Sequence, residues 1–478
     1  MKQEPCLVAG SWRAREDGWQ VRHPYDNHLV ASVARASPAD VEDAILRAEE
    51  GAEQMRRIPR HERGRILREV SDRLERESKA WAELITLESG KPIRSAEHEV
   101  HRAVITFRVA AEEALRFGAE YVPLDTAPGA RGDLGLMVQE PLGVIAAITP
   151  FNSPLNLVAH KVAPAIASGN AILLKPALQA PITALRLGRV LLDAGLPEDG
   201  MSILTCSDAD AAPLVEDERI RGLTFTGSQI GWELKARAVR KKVTLEMGGN
   251  GGIILAEDAD MDAALDVAVL GAFGSSGQRC IAIRRTLVHE GVAAAFTEEM
   301  IARTAALKAG DPRDPGTDVG PLVNRAAAER AEQWLDEAVA GGARVLVGGT
   351  RNGPVVAPTI LADVPDEARI WCDELFAPVT SIRTFVDFDD AIDQMNAGSY
   401  GLQVGVFTKS MSTAHHAFHR LRFGAVLVNE GPGYRAEHMP YGGTKASGMG
   451  REGIRYAMEA MTEPKMLIVT VGGSGVEA

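Results

Sequence analysis

Three short segments carry side chains that together can perform covalent chemistry on a carbonyl group. Cys280 ends the run Gly277-Gln278-Arg279-Cys280, where small residues leave room for a substrate beside a thiol nucleophile. Glu246 ends an apolar run before two glycines, where a carboxylate can act as a general base. Asn152 stands between two prolines, and its amide can donate to a developing oxyanion. Taken singly, Cys280 is more typical of a small buried residue and Glu246 of a capping or pairing carboxylate, so the combination carries the hypothesis.

Other patterns with catalytic potential are weaker. His415, His416 and His419 lie at helical spacing, but no third ligand is near in sequence, so we expect a solvated helix face and no metal site. The single GxGxxG pattern, Gly448 to Gly453, follows no strand and is interpreted as a turn. The four cysteines are far apart and form no CxxC, which argues against a zinc site, a disulfide framework or a thiol-based sensor and favours a reducing cytoplasm.

Composition excludes several classes of protein. The chain has 478 residues, 45% of them hydrophobic and 24% charged, as in a folded protein of two or three domains. Its net charge of -13 makes nucleic acid or an anionic membrane an unexpected partner. The N-terminus lacks an apolar signal segment, and prolines and asparagines interrupt the longest uncharged stretch, Pro141 to His160. These features predict a cytoplasmic location.

The first third of the chain is predicted to be helical. Apolar residues recur at helical spacing over residues 60–88, and Ser89-Gly90-Lys91-Pro92 ends that helix. A second helix is predicted from about Ser95 to Phe117. Residues 119–140 then place two short apolar runs around a turn, which predicts a β-hairpin. The final apolar run, PKMLIVTV, is expected to pair with that hairpin, and GGSGVEA is expected to be a loose tail.

From residue 143 onward, predicted strands and helices alternate. The first series has the strands GVIAAIT, NAILLK, MSILTC, GLTFTG and KKVTLEMGG, with helices over 155–168, 181–194, 208–217 and 228–240. A second series begins at GGIILA and continues through TLVHE, RVLVGG, TSIRTF, GLQVGVF and AVLVN, with helices over 260–273, 291–307 and 324–340. Alternation of this kind predicts an α/β fold with two doubly wound, mostly parallel sheets and a boundary near residues 246–252.

Six ordered segments resemble the aldehyde dehydrogenase superfamily over most of the chain, from about residue 20 to 470. They are Asn152, Leu173-Leu174-Lys175-Pro176, Phe225-Thr226-Gly227-Ser228, Glu246-Met247-Gly248-Gly249, Gly277-Gln278-Arg279-Cys280 and Glu374-Leu375-Phe376-Ala377-Pro378, followed by the block Met439-Pro440-Tyr441-Gly442-Gly443. The resemblance implies a dinucleotide-binding domain of residues 1–118 and 140–246 and a catalytic domain of residues 247–460. It also implies an oligomerisation flap of residues 119–139 and 461–478, which would join copies into a homodimer or homotetramer.

The resemblance implies an oxidation of an aldehyde to a free acid. Cys280 would be the nucleophile, and Asn152 with the Cys280 backbone N–H would hold the oxyanion. After hydride transfer leaves a thioester, Glu246 would activate the hydrolytic water. The carboxylate at position 246 favours water over coenzyme A as the attacking group. A CoA-acylating enzyme, and an inactive binding protein on the same fold, are the alternatives.

The implied cofactor is NAD or NADP. Lys175 would contact the adenine ribose, Gly227 and Ser228 the pyrophosphate, and Glu374 the nicotinamide ribose. The full implied set is Thr149, Phe151, Lys175, Gly227, Ser228, Glu374 and Phe376. Leu178 stands where the family usually has a glutamate that repels a 2′-phosphate, so both cofactors stay open, with NAD slightly favoured.

Four basic residues are candidates for substrate binding. Arg279, Arg435, Arg108 and His160 resemble the branch that acts on small anionic or hydroxy aldehydes, which includes phosphonoacetaldehyde, non-phosphorylating glyceraldehyde-3-phosphate and lactaldehyde dehydrogenases. Guanidinium forks match phosphonate, phosphate or carboxylate. The predicted substrate is therefore a short anionic aldehyde such as phosphonoacetaldehyde, with lactaldehyde or a semialdehyde as alternatives. The opposing interpretation is a surface ion pair for each arginine and a core-edge position for His160.

Overall fold

The computed structural model describes residues 3–128 and 133–470. Its helical first third comprises the helices Pro38–Arg57, Arg60–Arg76, Ser78–Ser89 and Ile93–Arg116. The helix predicted over 60–88 is therefore two helices, because Glu77 leaves the helical conformation and its carboxylate binds Arg73 and Arg186. Gly90, in the left-handed conformation with φ 72°, ends the second of them as expected.

The first large sheet has eight strands with a parallel centre. In spatial order these are Ser11–Arg13, Cys6–Val8, Met201–Ile203, Ala171–Lys175, Val144–Ile148, Gly222–Thr226, Lys242–Glu246 and Gly448–Met449. All five strands predicted for the first α/β series are present. Their helices are Asn156–Ser168, Ile182–Asp193, Ala212–Glu216 and Gly231–Arg237, the last two shorter than predicted. Strand order reverses between Val144–Ile148 and Gly222–Thr226, which opens a crevice at their carboxyl ends.

The second large sheet has seven strands. In spatial order these are Arg344–Val347, Thr359–Ala362, Val379–Phe385, Arg285–His289, Gly252–Leu255, Gln403–Phe407 and Ala425–Val428, all parallel except the first. Its helices are Met261–Phe273, Glu290–Ala305, Arg325–Ala340, Arg369–Cys372, Phe388–Asn396 and Met411–Arg420. The short strand Thr359–Ala362 has no counterpart among the strands predicted from sequence. Lys242–Glu246 belongs to the first sheet and Gly252–Leu255 to the second. The chain therefore passes from one sheet to the other near residues 246–252, where the sequence predicts the boundary between the two α/β series.

A three-stranded antiparallel sheet stands apart from both large sheets. It contains Glu120–Pro123, Leu134–Pro141 and Thr462–Val469, and the last strand pairs with the hairpin from Thr462 opposite Pro141 to Val469 opposite Leu134. The expected pairing of the C-terminal run with the hairpin is confirmed. Part of the hairpin turn and the predicted tail lie outside the described residues.

The remaining elements are short. They are the strand pairs Gly18–Arg22 with Leu29–Ala34, Arg351–Asn352 with Val355–Val356, and Tyr400–Gly401 with Thr444–Lys445, the helix Ile454–Ala460, and the 3₁₀ turns Glu198–Gly200 and Gly274–Gly277. Within residues 3–128 and 133–470, no helix is both long and apolar enough to cross a membrane. Over the same residues, no group of three or more His, Cys, Asp or Glu side chains is arranged to hold a metal ion.

Candidate active site

The thiol of Cys280 is positioned by a strained turn. The helix Met261–Phe273 runs into the 3₁₀ turn Gly274–Gly277, in which Ser275, Ser276 and Gly277 all have positive φ. A Cβ on Gly277 would lie 2.1 Å from the carbonyl oxygen of Ala377, so only glycine fits there. Two hydrogen bonds between the Ser276 hydroxyl and the backbone of Gly320, 2.9 and 3.1 Å long, anchor the turn.

A tyrosine hydroxyl connects the two predicted catalytic groups. The Tyr441 hydroxyl oxygen lies 3.3 Å from the sulfur of Cys280, and it donates to Oε1 of Glu246 at 3.4 Å. Glu246 ends the strand Lys242–Glu246 and is buried, and its Oε2 has no hydrogen-bond partner among the described residues. The thiol and the carboxylate predicted from sequence are therefore brought to one place, with Tyr441 between them.

The pKa values of two buried carboxylates near this site, Glu246 and Glu452, are shifted in opposite directions. Burial, and then the charge of Glu452, raises the pKa of Glu246 to about 8. Burial would also raise the pKa of Glu452, but Lys161 and then Arg435 outweigh it and lower that pKa to about 2. Lys161 Nζ is 2.9 Å from Glu452 Oε1, and Arg435 Nη2 is 3.1 Å from Glu452 Oε2. Glu452 is thus the permanent anion, and Glu246 can change its protonation near neutral pH.

The Asn152 amide lies against the cysteine loop. Its Nδ2 donates to the carbonyl oxygen of Gln278 at 3.0 Å, two residues before Cys280. The next residue, Ser153, accepts from Lys91 at 3.2 Å, and Lys91 forms a buried ion pair with Glu99. These contacts fix the loop, and the second hydrogen on the Asn152 nitrogen stays available for an oxyanion.

Four of the residues predicted to bind the cofactor lie at the carboxyl ends of neighbouring central strands of the first sheet. Thr149 follows the strand Val144–Ile148, and its buried hydroxyl oxygen has no partner among the described residues. Lys175, one strand over, binds Asp208 at 2.8 Å. Gly227 and Ser228 follow the neighbouring strand end. A buried hydroxyl without a partner among the described residues, next to a strand that ends in a lysine, fits a ligand that carries ribose and phosphate groups.

Two of the remaining cofactor candidates, Glu374 and Phe376, come from the segment after Arg369–Cys372, and the third, Phe151, follows the strand Val144–Ile148. Glu374 Oε1 accepts from the backbone N–H of Gly249 at 3.1 Å and lies 3.4 Å from Arg284 Nη2. The rings of Phe376 and Phe151 meet edge to face with centroids 6.1 Å apart. Because Gly249 is three residues after Glu246, this contact joins the predicted nicotinamide-ribose position to the predicted catalytic carboxylate.

A cavity of about 1060 Å³ opens beside the cysteine loop and is lined by several basic residues. Arg279 Nη2 donates to the carbonyl oxygen of Gly433 at 3.2 Å, and no carboxylate forms a salt bridge with Arg279 among the described residues. Burial, and then the nearby charge of Arg102, lowers the pKa of Arg279. Arg102 differs because its Nε binds Glu437 at 2.6 Å. Arg279, the neighbour of the thiol, is therefore a cation without an anionic partner.

The other two substrate candidates occupy different environments. His160 is fully buried, and its Nε2 is 2.5 Å from Glu437 Oε2. Arg108 is 37% exposed, binds Glu75 at 3.0 Å and is not among the residues that line the cavity. Arg94 and Arg102 contribute the cavity-lining guanidiniums of the same helix, Ile93–Arg116.

Four residues of the site are not singled out by the sequence analysis: Tyr441, Arg102, Lys161 and Glu452. Helical spacing could have identified Arg102, because residues three and four apart share a face and Glu99 and Thr106 are buried on that side. Tyr441 lies in the block quoted for the family resemblance, but its type alone does not indicate contact with a thiol. Glu452 and Lys161 are far apart in sequence, so only the fold shows that they pair.

The comparisons with known proteins agree with this geometry. Residues 12–467 match the model of the aldehyde dehydrogenase family. The chain is 42% identical over 455 residues to "Aspartate-semialdehyde dehydrogenase 1" of Pseudomonas canavaninivorans, covering 95% of this chain and 97% of that relative. It resembles the crystal structure of aldehyde dehydrogenase 21 from Physcomitrella patens in complex with the reaction product succinate, with a TM-score of 0.95, 40% identity and 98% of each chain covered. It also resembles the NADP-dependent glyceraldehyde-3-phosphate dehydrogenase of Bacillus halodurans complexed with NADP, with a TM-score of 0.96, 33% identity and 99% and 100% coverage.

The turn before Cys280 gives a test of the site's construction. Gly277→Ala should lower the free energy of unfolding by about 2–4 kcal/mol, because it combines a positive φ with overlap against a backbone carbonyl. Gly353→Ala is the matched control, since Gly353 also has positive φ but nothing within 4 Å of its Cβ position. Its cost should be about 1 kcal/mol. Urea unfolding of both variants measures the difference, and equal losses would contradict the close packing described for Gly277.

Proposed function

Because the chain belongs to the aldehyde dehydrogenase family, we propose that it oxidises a small anionic aldehyde to the free acid through a covalent adduct on Cys280. The protein is an oxidoreductase that uses NAD or NADP. At family level, its substrates are small anionic or hydroxy aldehydes. The guanidinium of Arg279, directly before the nucleophile, has no carboxylate partner among the described residues, and this carries the proposal of an anionic substrate.

The first chemical step is proposed for the Cys280 sulfur. A thiolate attacks the aldehyde carbon, forming a carbon–sulfur bond while the carbonyl oxygen gains the negative charge. The Asn152 amide and the Cys280 backbone N–H stabilise that oxygen. NAD(P), held by the cofactor-binding residues, would supply the hydride acceptor for oxidation of this adduct to a thioester. Burial, and then the charge of Glu246, raises the pKa of the Cys280 thiol, so a proton acceptor is needed to form the thiolate.

Glu246 is proposed as the base for the second step. Its Oε2 has no hydrogen-bond partner among the described residues, so it can take a proton from a water that attacks the thioester. The carbon–sulfur bond then breaks, and the free acid leaves. A CoA-acylating enzyme would use a thiol as the attacking group and would not need a carboxylate here.

The anionic class of the substrate is supported by the charges around the cavity. Arg102 and Arg435 already bind Glu437 and Glu452, whereas Arg279 offers its donors without a carboxylate. A carboxylate, phosphate or phosphonate on the substrate would satisfy it, and an alkyl chain would not. The aspartate semialdehyde and succinate named for two similar proteins favour a carboxylate over the phosphonate of phosphonoacetaldehyde.

We assign the cofactor-binding site to the crevice of the first sheet. Its residues would be Thr149, Phe151, Lys175, Gly227, Ser228, Glu374 and Phe376. Residues 1–118 and 140–246 would form the cofactor domain, and residues 247–460 the catalytic domain. We assign the segments 119–139 and 461–478 to an interface between copies, in a homodimer or homotetramer. Leu467 and Ile468, which are 53% and 57% exposed on the last strand, support an apolar contact there.

Replacement of the nucleophile tests the covalent step. Cys280→Ser should lower kcat by about a thousandfold or more, since removing a nucleophile from a catalytic set has effects of this order. Cys372→Ser, at an exposed cysteine, is the matched control and should keep wild-type turnover. NAD(P)H formation and the acid product are followed with and without coenzyme A. Undiminished turnover of Cys280→Ser would contradict the mechanism, and turnover that requires coenzyme A would favour the acylating alternative.

A substrate panel tests the role of Arg279. Arg279→Ala should lower kcat/KM for succinic semialdehyde by about 1.5–3 kcal/mol in transition-state free energy while leaving hexanal little changed. Arg108→Ala, which removes a guanidinium that pairs outside the cavity, serves as the control. The panel also contains phosphonoacetaldehyde, glyceraldehyde 3-phosphate and lactaldehyde, each with NAD and with NADP. If hexanal outperforms every anion in the wild type, the anionic class is wrong.

The proton chemistry of Glu246 predicts a pH profile. A carboxylate with a pKa of about 8 is mostly protonated at pH 7, so thioester hydrolysis should rise about tenfold per pH unit below 8 and level off above it. Stopped-flow measurement of the hydrolysis step after adduct formation avoids the titration of Cys280. Glu246→Gln should be slow and flat in pH. A wild-type rate that is constant from pH 6 to 8 would exclude Glu246 as the titrating base.

A further inference from the structure

The ion pair between Lys175 and Asp208 lies at the carboxyl ends of two neighbouring strands of the first sheet. Lys175 ends the strand Ala171–Lys175, and Asp208 follows the adjacent strand Met201–Ile203. Nζ of Lys175 is 2.8 Å from Oδ1 of Asp208. The lysine side chain is 8% exposed and the aspartate side chain 97% exposed, so the cation is set into the wall and the carboxylate projects from it. A ligand at this edge of the sheet therefore meets an anion and a cation side by side.

The loop that carries Asp208 is held in place by hydrogen bonds. The carbonyl oxygen of Thr205 accepts from the indole N–H of Trp19 at 2.8 Å. The Ser207 hydroxyl donates to Oδ2 of Asp210 at 2.6 Å, and the N–H of Asp210 donates back to that hydroxyl at 3.1 Å. Because an aspartate side chain is short, this fixed backbone keeps the carboxylate at position 208 close to the end of the neighbouring strand.

Lys175 and Arg35, two cations that this loop contacts, already have carboxylate partners. Lys175 binds Asp208, and Arg35 binds Asp210 at 3.1 Å, so the four charges sum to zero. Leu178 stands where the family usually has a ribose-binding glutamate, and it supplies neither a charge nor a hydrogen-bond donor. These residues therefore offer a carboxylate to a sugar hydroxyl, and they hold no spare cation for an added phosphate.

We propose that Asp208 is a specificity-determining residue that selects NAD over NADP. The inference rests on the proposed cofactor site, in which Lys175 contacts the adenine ribose. The carboxylate beside that lysine can accept a hydrogen bond from a ribose hydroxyl of NAD. In NADP the 2′-hydroxyl carries a phosphate, so a donor is lost and a negative charge meets the carboxylate. Asp208 thus takes the role of the usual glutamate from a different loop.

Equilibrium binding of NAD and of NADP to the full-length enzyme, without aldehyde, tests this assignment. Isothermal titration calorimetry gives both dissociation constants and does not depend on turnover. The wild type should bind NAD more tightly than NADP. Asp208→Asn should lower the ratio of the NADP to the NAD dissociation constant by about tenfold, because it removes a close charge repulsion and weakens a charge-assisted hydrogen bond. Asp208→Glu, which keeps the charge, should retain the preference for NAD.

A matched control and a salt series separate this role from a general effect of charge. Asp193→Asn removes an exposed carboxylate that ends the helix Ile182–Asp193 and binds Arg73, and it should leave the ratio unchanged. Added salt should lower the ratio in the wild type, since it screens the repulsion between carboxylate and phosphate. The ratio in Asp208→Asn should respond less to salt.

Two results would overturn the proposal: a wild type that binds NADP as tightly as NAD, or a ratio that Asp208→Asn leaves unchanged. Lys175→Met tests the cofactor site separately and should weaken the binding of both nucleotides by about tenfold. Such weakening, together with an unchanged ratio in Asp208→Asn, would refute the role of Asp208 and support the cofactor site. Full binding of both nucleotides by Lys175→Met would refute the cofactor site and the role of Asp208 with it.

Discussion

The salt bridge from Glu452 to two buried cations is the interaction on which the site depends. Lys161 comes from the helix Asn156–Ser168, Arg435 from the loop that borders the cavity, and Glu452 from the segment before the last helix. The side chains of all three are almost fully buried, so removing one partner would leave an uncompensated charge at a cost of roughly 3–5 kcal/mol. The same Glu452 holds the backbone of Tyr441, and through it the position of the hydroxyl beside Cys280.

This salt bridge also explains why two neighbouring buried carboxylates behave differently. Lys161 and Arg435 both bind Glu452, so its ionised form is stabilised despite burial. Glu246 has no cation in direct contact among the described residues, and the negative Glu452 nearby adds to the effect of burial. Two like groups with their pKa values driven apart by their surroundings give one fixed charge and one proton acceptor. The acceptor is the one that lies beside the thiol and accepts a hydrogen bond from Tyr441.

The sequence predicts the scaffold better than the contacts within the site. Continuous apolar runs such as Ala171–Lys175 are buried on both faces of a parallel sheet, and their regular alternation with helical segments predicts the α/β fold. The division at Glu77 is not visible in the periodicity, because apolar spacing continues on both sides of it. Cys280 is recognisable by its type and its glycine-rich surroundings. Tyr441 is not, because a tyrosine between a thiol and a carboxylate is a property of three segments that only folding brings together.

The arginines show the same limit of prediction from sequence. Their ion pairs in the fold determine which cation is left to select an anionic aldehyde. Counting guanidiniums in the sequence overstates the positive charge that a substrate meets, because Arg435 and Arg102 already bind Glu452 and Glu437. What a ligand meets is the cation that folding leaves without a carboxylate, and this is Arg279 among the described residues. A partly buried cation in this state carries an unrecovered desolvation cost. An anionic aldehyde offsets that cost when it binds, and a neutral aldehyde does not, so the selectivity for charge follows from one unpaired group placed next to the reacting sulfur.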